Sequence, residues 1–269
     1  MAGILKFELD RAFKNRRMGA ALLIGCCISF WHLWEYVLPV RNYVNAGGYP
    51  LSSFNKWMGG ENYSFQASLY FMWLPILCAL PHGTSFVFDC ATGYGNQAAV
   101  RGRWGRYLTA KYLAVFLSGA AVAVLPLAFD FLGTNLFLPA VMPQAGMGLA
   151  PIGEESFLGA LYFRQPFLYV LIYMIMDGLF YGLFNTLSLF ATIFFRNRFA
   201  IQLMPFLVYT ALFSVGTTTM QFSACPAGFL RPSQQFTPAP GWLLGELGAL
   251  LAAGALFFLY FRKKEKGLL

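Results

Sequence analysis

The chain alternates between long apolar runs and short polar, basic stretches. The runs fall at about 18–40, 64–87, 108–132, 167–195, 199–215 and 242–261. Each comes near the ~20 residues that an α-helix needs to cross a bilayer, so six membrane-spanning helices are expected. The fourth run is long enough to tilt or to project beyond the bilayer. The fifth is short and contains Pro205, so it is expected to be kinked or incomplete. Before the first run, Leu5, Leu9 and Phe13 recur at i, i+4 and i+8 with Ala12 beside them and charges elsewhere. That spacing predicts a short amphipathic helix over 1–17 lying along the membrane surface. The first run lacks a small-residue cleavage site, so it reads as a retained span and not a removed leader.

Composition supports the same class. Of 269 residues, 58% are hydrophobic, 18% aromatic and 11% charged, whereas soluble domains carry roughly 25% charge. Mean hydropathy is +0.57. The expectation is an all-α integral membrane protein forming one transmembrane domain over 1–269.

The net charge of +8 would suggest a nucleic-acid partner in a soluble protein, but its distribution changes that reading. In the six-span arrangement one side holds Lys6, Arg11, Lys14, Arg16, Arg17, Arg101, Arg103, Arg106, Lys111, Arg196, Arg198, Arg262, Lys263, Lys264 and Lys266, and the other only Arg41, Lys56, Arg164 and Arg231. This is a strong positive-inside asymmetry, which predicts that both termini are cytoplasmic and leaves no need for nucleic acid. Opposite them lie three segments: 41–63, polar and aromatic; 133–166, with Pro139, Pro143 and Pro151; and 216–241. The last is too long for a turn and moderately apolar, and reads either as a re-entrant hairpin or as an ordered external loop.

Little in the chain suggests chemistry of its own. The five cysteines (Cys26, Cys27, Cys78, Cys90, Cys225) form no C-x-x-C pair and no metal-ligand spacing with a histidine, so neither disulfides nor a metal are expected. No G-x-x-x-x-G-K-[ST], H-E-x-x-H or G-x-S-x-G occurs, so the chain is not expected to be an enzyme. Gly93, Gly95 and Ala98 match G-x-G-x-x-A, but that fingerprint needs a βαβ unit, and here apolar spans lie on both sides. Intramembrane polar groups are costly, about 2.5–3.5 kcal/mol each at the bilayer centre on insertion scales, and are therefore candidate pathway residues. They are His32 and Glu35, spaced to share a helical face, with Asp130, Asp177, Asn185 and Glu246. Asp177 is expected to lie deepest. The alternative is local pairing of His32 with Glu35 and carboxylates reaching water at helix ends. Gly178 with Gly182 and Gly241 with Gly245 read as helix packing.

The stretches "PHGTSFVFDCATGYGNQAAVRGRWGRYLTAKYLAVFLSGA" (81–120) and "FFRNRFAIQLMPF" (194–206) resemble the span two to three region and the span four to five junction of type-two ATP-binding-cassette permeases, which are mostly bacterial exporters. The amphipathic lead-in, six spans and long outer segment before the last span are similar to theirs as well. The resemblance implies a permease in the bacterial plasma membrane, paired with a second permease subunit and with ATPase subunits on the cytoplasmic face. ATP and Mg would be held by the ATPase and no cofactor by this chain. The family's coupling helix would fall on about Phe86 to Val100, within a cytoplasmic segment 88–107. This would put Phe88, Asp89, Tyr94 and Arg101 near the ATPase. His32, Glu35, Asp177 and Glu246 remain pathway candidates from the residues alone. A hydrophobic, amphipathic or peptide-like solute is the expected cargo; an ion-coupled carrier and a non-transporting scaffold are the alternatives.

Overall fold

The computed structural model describes residues 2–44, 51–61, 63–95, 97, 104–144, 152–154, 156–233 and 240–266. Among them the chain is all-helical, and five helices are long and apolar enough to cross a membrane. The protein is therefore an α-helical, multi-pass membrane protein in its composition and element lengths.

Helix α1 (Ala2–Phe13) leads into α2 (Arg16–His32). Asn15 starts α2 because its side-chain oxygen accepts the Met18 N–H at 2.7 Å, satisfying one of the orphan donors of a helix start. Beyond His32 the helix widens into a π-type turn at Leu33–Val37 and then tightens into a 3₁₀ turn at Pro39–Tyr43. The expected amphipathic helix exists, but the side it buries is not the one the apolar spacing selects. Glu8 and Ala12 are buried, Leu5 and Leu9 partly so, and Phe13 is exposed.

The second expected span differs most. Instead of one helix over 64–87, the chain forms α4 (Phe65–Ala79), a turn, and a separate short helix α5 (Ser85–Ala91), preceded in sequence by the small α3 (Ser53–Lys56). Fifteen residues of α4 rise roughly 22 Å, short of the ~30 Å hydrocarbon thickness. The break has local causes. Pro81 follows the last turn of α4, and the Gly83 N–H closes onto the Ala79 carbonyl at 3.0 Å. A side chain at Gly83 would meet that same carbonyl at 2.7 Å. At its start α4 lies beside α2 through Trp31 and Phe65, whose rings are 5.9 Å apart. At its finish the Pro81 carbonyl accepts from Asn15 Nδ2 at 3.2 Å.

The remaining spans are α6 (Trp104–Phe137), α8 (Pro166–Ala191), α9 (Arg198–Thr218) and α11 (Pro240–Lys266), with the short α7 (Gly159–Arg164) and α10 (Pro226–Phe229) between them. At 34 residues α6 is longer than its apolar run, because Thr134 and Asn135 return side-chain bonds to carbonyls one turn back. The fifth span is not truncated by Pro205. It runs 21 residues, started by the Asn197 side chain on the Phe199 N–H and extended by Ser214, Thr217 and Thr218 hydroxyls bonding back to the helix.

Helix α8 leaves Phe167, Leu171, Ile175 and Leu179 exposed along one face of its first half, is buried all round from Phe180 to Leu189, and packs against α4, α6, α9 and α11. Its approach to α6 depends on Gly182, where a Cβ would stand 2.9 Å from the Phe116 carbonyl oxygen. The Gly178/Gly182 pair therefore serves packing, while Gly241 and Gly245 face open space. The segments expected to be loops are drawn in too. Trp57 is fully buried against Phe131, and Phe229 in α10 packs on Phe180 of α8. The segment after α9 thus folds back against the bundle as far as Ser233, whose N–H bonds the Gly59 carbonyl.

Candidate functional site

The start of α2, the α4–α5 turn, and the adjoining ends of α6, α8, α9 and α11 come together at one end of the bundle. Trp104 Nε1 donates to the Phe261 carbonyl at 3.0 Å. Phe86 packs edge-on to Phe257 and Phe261, and the Arg198 guanidinium lies 5.0 Å above the Phe88 ring.

Within this end sits a buried lattice of charge. Lys111 Nζ, fully enclosed, donates to Glu8 Oε2 at 2.5 Å and to Asp89 Oδ2 at 2.6 Å. Arg11 donates to both oxygens of Asp89, at 2.8 and 3.2 Å, and to Glu8 Oε1 at 3.1 Å. The Tyr107 hydroxyl donates to Asp89 Oδ2 at 2.7 Å, and His82 Nε2 lies 3.3 Å from Glu8 Oε2. Two carboxylates face two cations, so the cluster is balanced, and α1, α5 and α6 are cross-linked through it. Burial works against the charged form of Glu8, but the His82 contact and the Lys111 charge outweigh it and hold that carboxyl below its usual range. Asp89 is lowered in the same way, burial being overcome by the Arg11 bond and by Lys111. Burial opposes the Arg11 charge as well, yet the Asp89 bond and the Glu8 charge keep its pKa above the ordinary value. His82 is lowered, by burial first and with Lys111 adding to it, against the opposing Glu8 bond.

The expected coupling residues separate on this geometry. Phe88 is 44% exposed on the surface of α5, whereas Asp89, one residue on, is 1% exposed and belongs to the lattice. Asp89 thus supports α5 from within and does not present a handle. Tyr94 is half-buried, stacked on Phe7 and beneath the Arg11 guanidinium. Arg101 lies outside the described residues, as does much of 96–103. Gly93 takes a positive φ of 72° and turns the chain after α5. A cleft of about 470 Å³ runs along the other face of α5, walled by Phe86, Val87, Cys90 and Ala91, by Ile193, Phe194 and Phe195 after α8, and by Phe261.

The expected pathway residues do not form one constellation. His32 does not pair with Glu35. Its Nδ1 meets Asp130 Oδ1 at 2.8 Å, both side chains fully buried, and Asp130 Oδ2 also accepts the Met58 N–H at 2.6 Å. Asp130 therefore does not reach water but fastens α2 and the 51–61 segment to α6. Glu35 accepts from Gln66 Nε2 at 2.5 Å. Asp177 is fully buried in the centre of α8, and neither carboxylate oxygen has a hydrogen-bond partner among the described residues. Glu246 leaves one buried oxygen unpartnered.

Glu8, His82 and Tyr107 carry no role in the sequence reading, and Arg11 and Lys111 enter it only through the charge asymmetry. The signal for them was present in one place: Lys111 stands inside an apolar helix, where a lone ammonium demands a buried anion. Among the described residues no group of acidic, histidine or cysteine side chains is arranged to hold a metal ion. No protein-family model matches the chain, and neither a curated protein nor a solved structure matches it.

Proposed function

We propose that the chain is the membrane-spanning permease subunit of an ATP-driven exporter. In this reading it crosses the bilayer six times with both termini on the cytoplasmic side. It pairs with a second permease subunit, and a separate ATPase supplies ATP and Mg. The observation that carries it is α5: a surface helix with Phe88, Cys90 and Ala91 exposed, flanked by a cleft of mixed polar and aromatic lining that includes Phe194, Phe195 and Arg196, and tied inward to α1, α6 and α11 by the Asp89 lattice and the Phe86 cluster. A soluble partner gripping α5 would move these helices with it, because the links between them are buried ion pairs and close-packed rings. The short α4 suits a sixth crossing because it runs beside α2 from Trp31 to Asn15. Within the complex the segment from Phe222 to Ser233 acts as a re-entrant plug on the outer side. The cargo is a hydrophobic, amphipathic or peptide-like solute.

Co-expression with a candidate ATPase tests this. The two should co-purify, ATP hydrolysis should depend on the chain, and Phe88→Ala with Phe195→Ala should uncouple hydrolysis from solute movement while leaving the fold intact. Cys90 should react with a maleimide in the isolated chain and be protected in the complex. Solute transport by the chain alone would sink the proposal.

A second reading, a proton- or ion-coupled carrier, is favoured by the unpartnered carboxylate of Asp177, since such groups recur in intramembrane relays. Uptake into vesicles driven by a proton gradient without ATPase, and lost in Asp177→Asn, would establish it instead.

A further inference from the structure

The side of α5 that carries Phe88 faces a second cavity, distinct from the cleft beside Phe194 and Phe195, of about 340 Å³. Four arginines line it, Arg11 from α1, Arg16 and Arg17 from the start of α2, and Arg198 from the start of α9, and no carboxylate does. Arg11 is committed to Asp89 and Glu8. Arg16, Arg17 and Arg198 are exposed; Arg17 donates to Thr84 Oγ1 at 3.2 Å, and Arg198 rests on the Phe88 ring. The Ser85 hydroxyl, also in the lining, is buried without a hydrogen-bond partner among the described residues. The acids that Arg11 contacts, Glu8 and Asp89, are already balanced by Arg11 and Lys111. The cavity thus presents uncompensated positive charge and a free hydroxyl donor.

We infer that this cavity binds the phosphate of an anionic phospholipid headgroup from the surrounding bilayer. Its position favours a lipid over a soluble anion. Arg16 and Arg198 are the first residues of two spanning helices, so the cavity sits at the level where apolar sequence begins. Beside it Phe13 and Phe199 are exposed, at the depth where a lipid's glycerol and first methylenes would lie. Basic pockets between helix ends suit such headgroups, whose local concentration is high and whose charge is held at that depth. Three exposed arginines on two helix starts, bracketing one hydroxyl, recognise a phosphate by charge and by forked hydrogen bonding. The bound lipid would bridge α2, α5 and α9. The inference does not depend on the ATPase reading.

Native mass spectrometry of the full chain, released from nanodiscs containing phosphatidylcholine and phosphatidylglycerol, tests it. The wild type should retain one phosphatidylglycerol in preference to phosphatidylcholine. Each arginine contributes about 1 kcal/mol near such a surface, about fivefold, so Arg17→Gln with Arg198→Gln should lower that preference about 25-fold. Arg17→Lys with Arg198→Lys should keep most of it, and Arg41→Gln with Arg164→Gln should leave it unchanged. Circular dichroism and the melting temperature in detergent show that the variants remain folded. An unchanged preference in the glutamine variant overturns the assignment, as does equal retention of both lipids by the wild type. Displacement of the lipid by millimolar inorganic phosphate would assign the cavity to a free anion instead and would likewise overturn it.

Discussion

Replacing Lys111 by Met removes the fully buried one of the two cations that each touch both carboxylates. In the folded protein Glu8 would keep His82 and Arg11, and Asp89 would keep Arg11 and Tyr107. The lattice, balanced in the wild type, would then hold two carboxylates against one guanidinium. Removing one partner of a buried ion pair costs about 3–5 kcal/mol, chiefly because the other charge is left uncompensated. At about 2–4 °C per kcal/mol for a chain of this size, the melting temperature should fall by roughly 6–20 °C. The decisive comparison is a cycle with Glu8→Gln. Alone, Glu8→Gln leaves Lys111 and Arg11 facing only Asp89 and should destabilise. Combined with Lys111→Met it restores one anion to one cation, so the double variant should be more stable than the sum of the single losses by about 1–3 kcal/mol. Thermal unfolding in one detergent, with denaturant titration of the same four proteins, reads this directly. Strict additivity, or a Lys111→Met protein as stable as the wild type, would refute the reasoning.

The same lattice sets a pH dependence. Glu8 and Asp89 have lowered pKa values in the fold, so their contribution is present above the unfolded carboxylate range near ~4 and is lost as pH falls through the folded values. His82 is lowered too; the unfolded chain takes up its proton first, so stability starts to fall below about pH 6.5. Melting curves from pH 8 to 3.5 should show this earlier loss in the wild type and lose it in His82→Gln. Gly182→Ala should cost about 1–3 kcal/mol because its Cβ meets the Phe116 backbone, while Gly245→Ala should stay within about 0.5 kcal/mol, both measured by thermal unfolding. Asp130→Ala strands the Met58 N–H and the His32 ring and should cost about 2–5 kcal/mol, with Asp130→Asn costing less; a neutral Asp130→Ala would show that the segment from Leu51 to Glu61 is held by its aromatic packing alone.

Class and element order were legible from the sequence because a bilayer imposes one strong rule. Backbone groups in hydrocarbon must bond within their own segment, so apolar runs near twenty residues become helices and basic residues gather between them. The helix before the first span and the packing role of Gly178 and Gly182 follow from the same reading of run length and spacing. What the pattern could not determine was partnership. Glu8 lies 103 positions from Lys111, and His32 lies 98 from Asp130. Which carboxylate meets which cation depends on how each helix is rotated and how closely it packs, and those are properties of the assembled bundle. The buried face of α1 differs from its apolar face for that reason: spacing favours Leu5, Leu9 and Phe13, but the buried ammonium on α6 draws Glu8 inward. Packing likewise decided that α4 could be short, since Pro81 and Gly83 end it and α2, α6, α8 and α9 surround it. Phe88 and Asp89 are adjacent in sequence, and only the docking of α5 on α6 turned one outward and the other in.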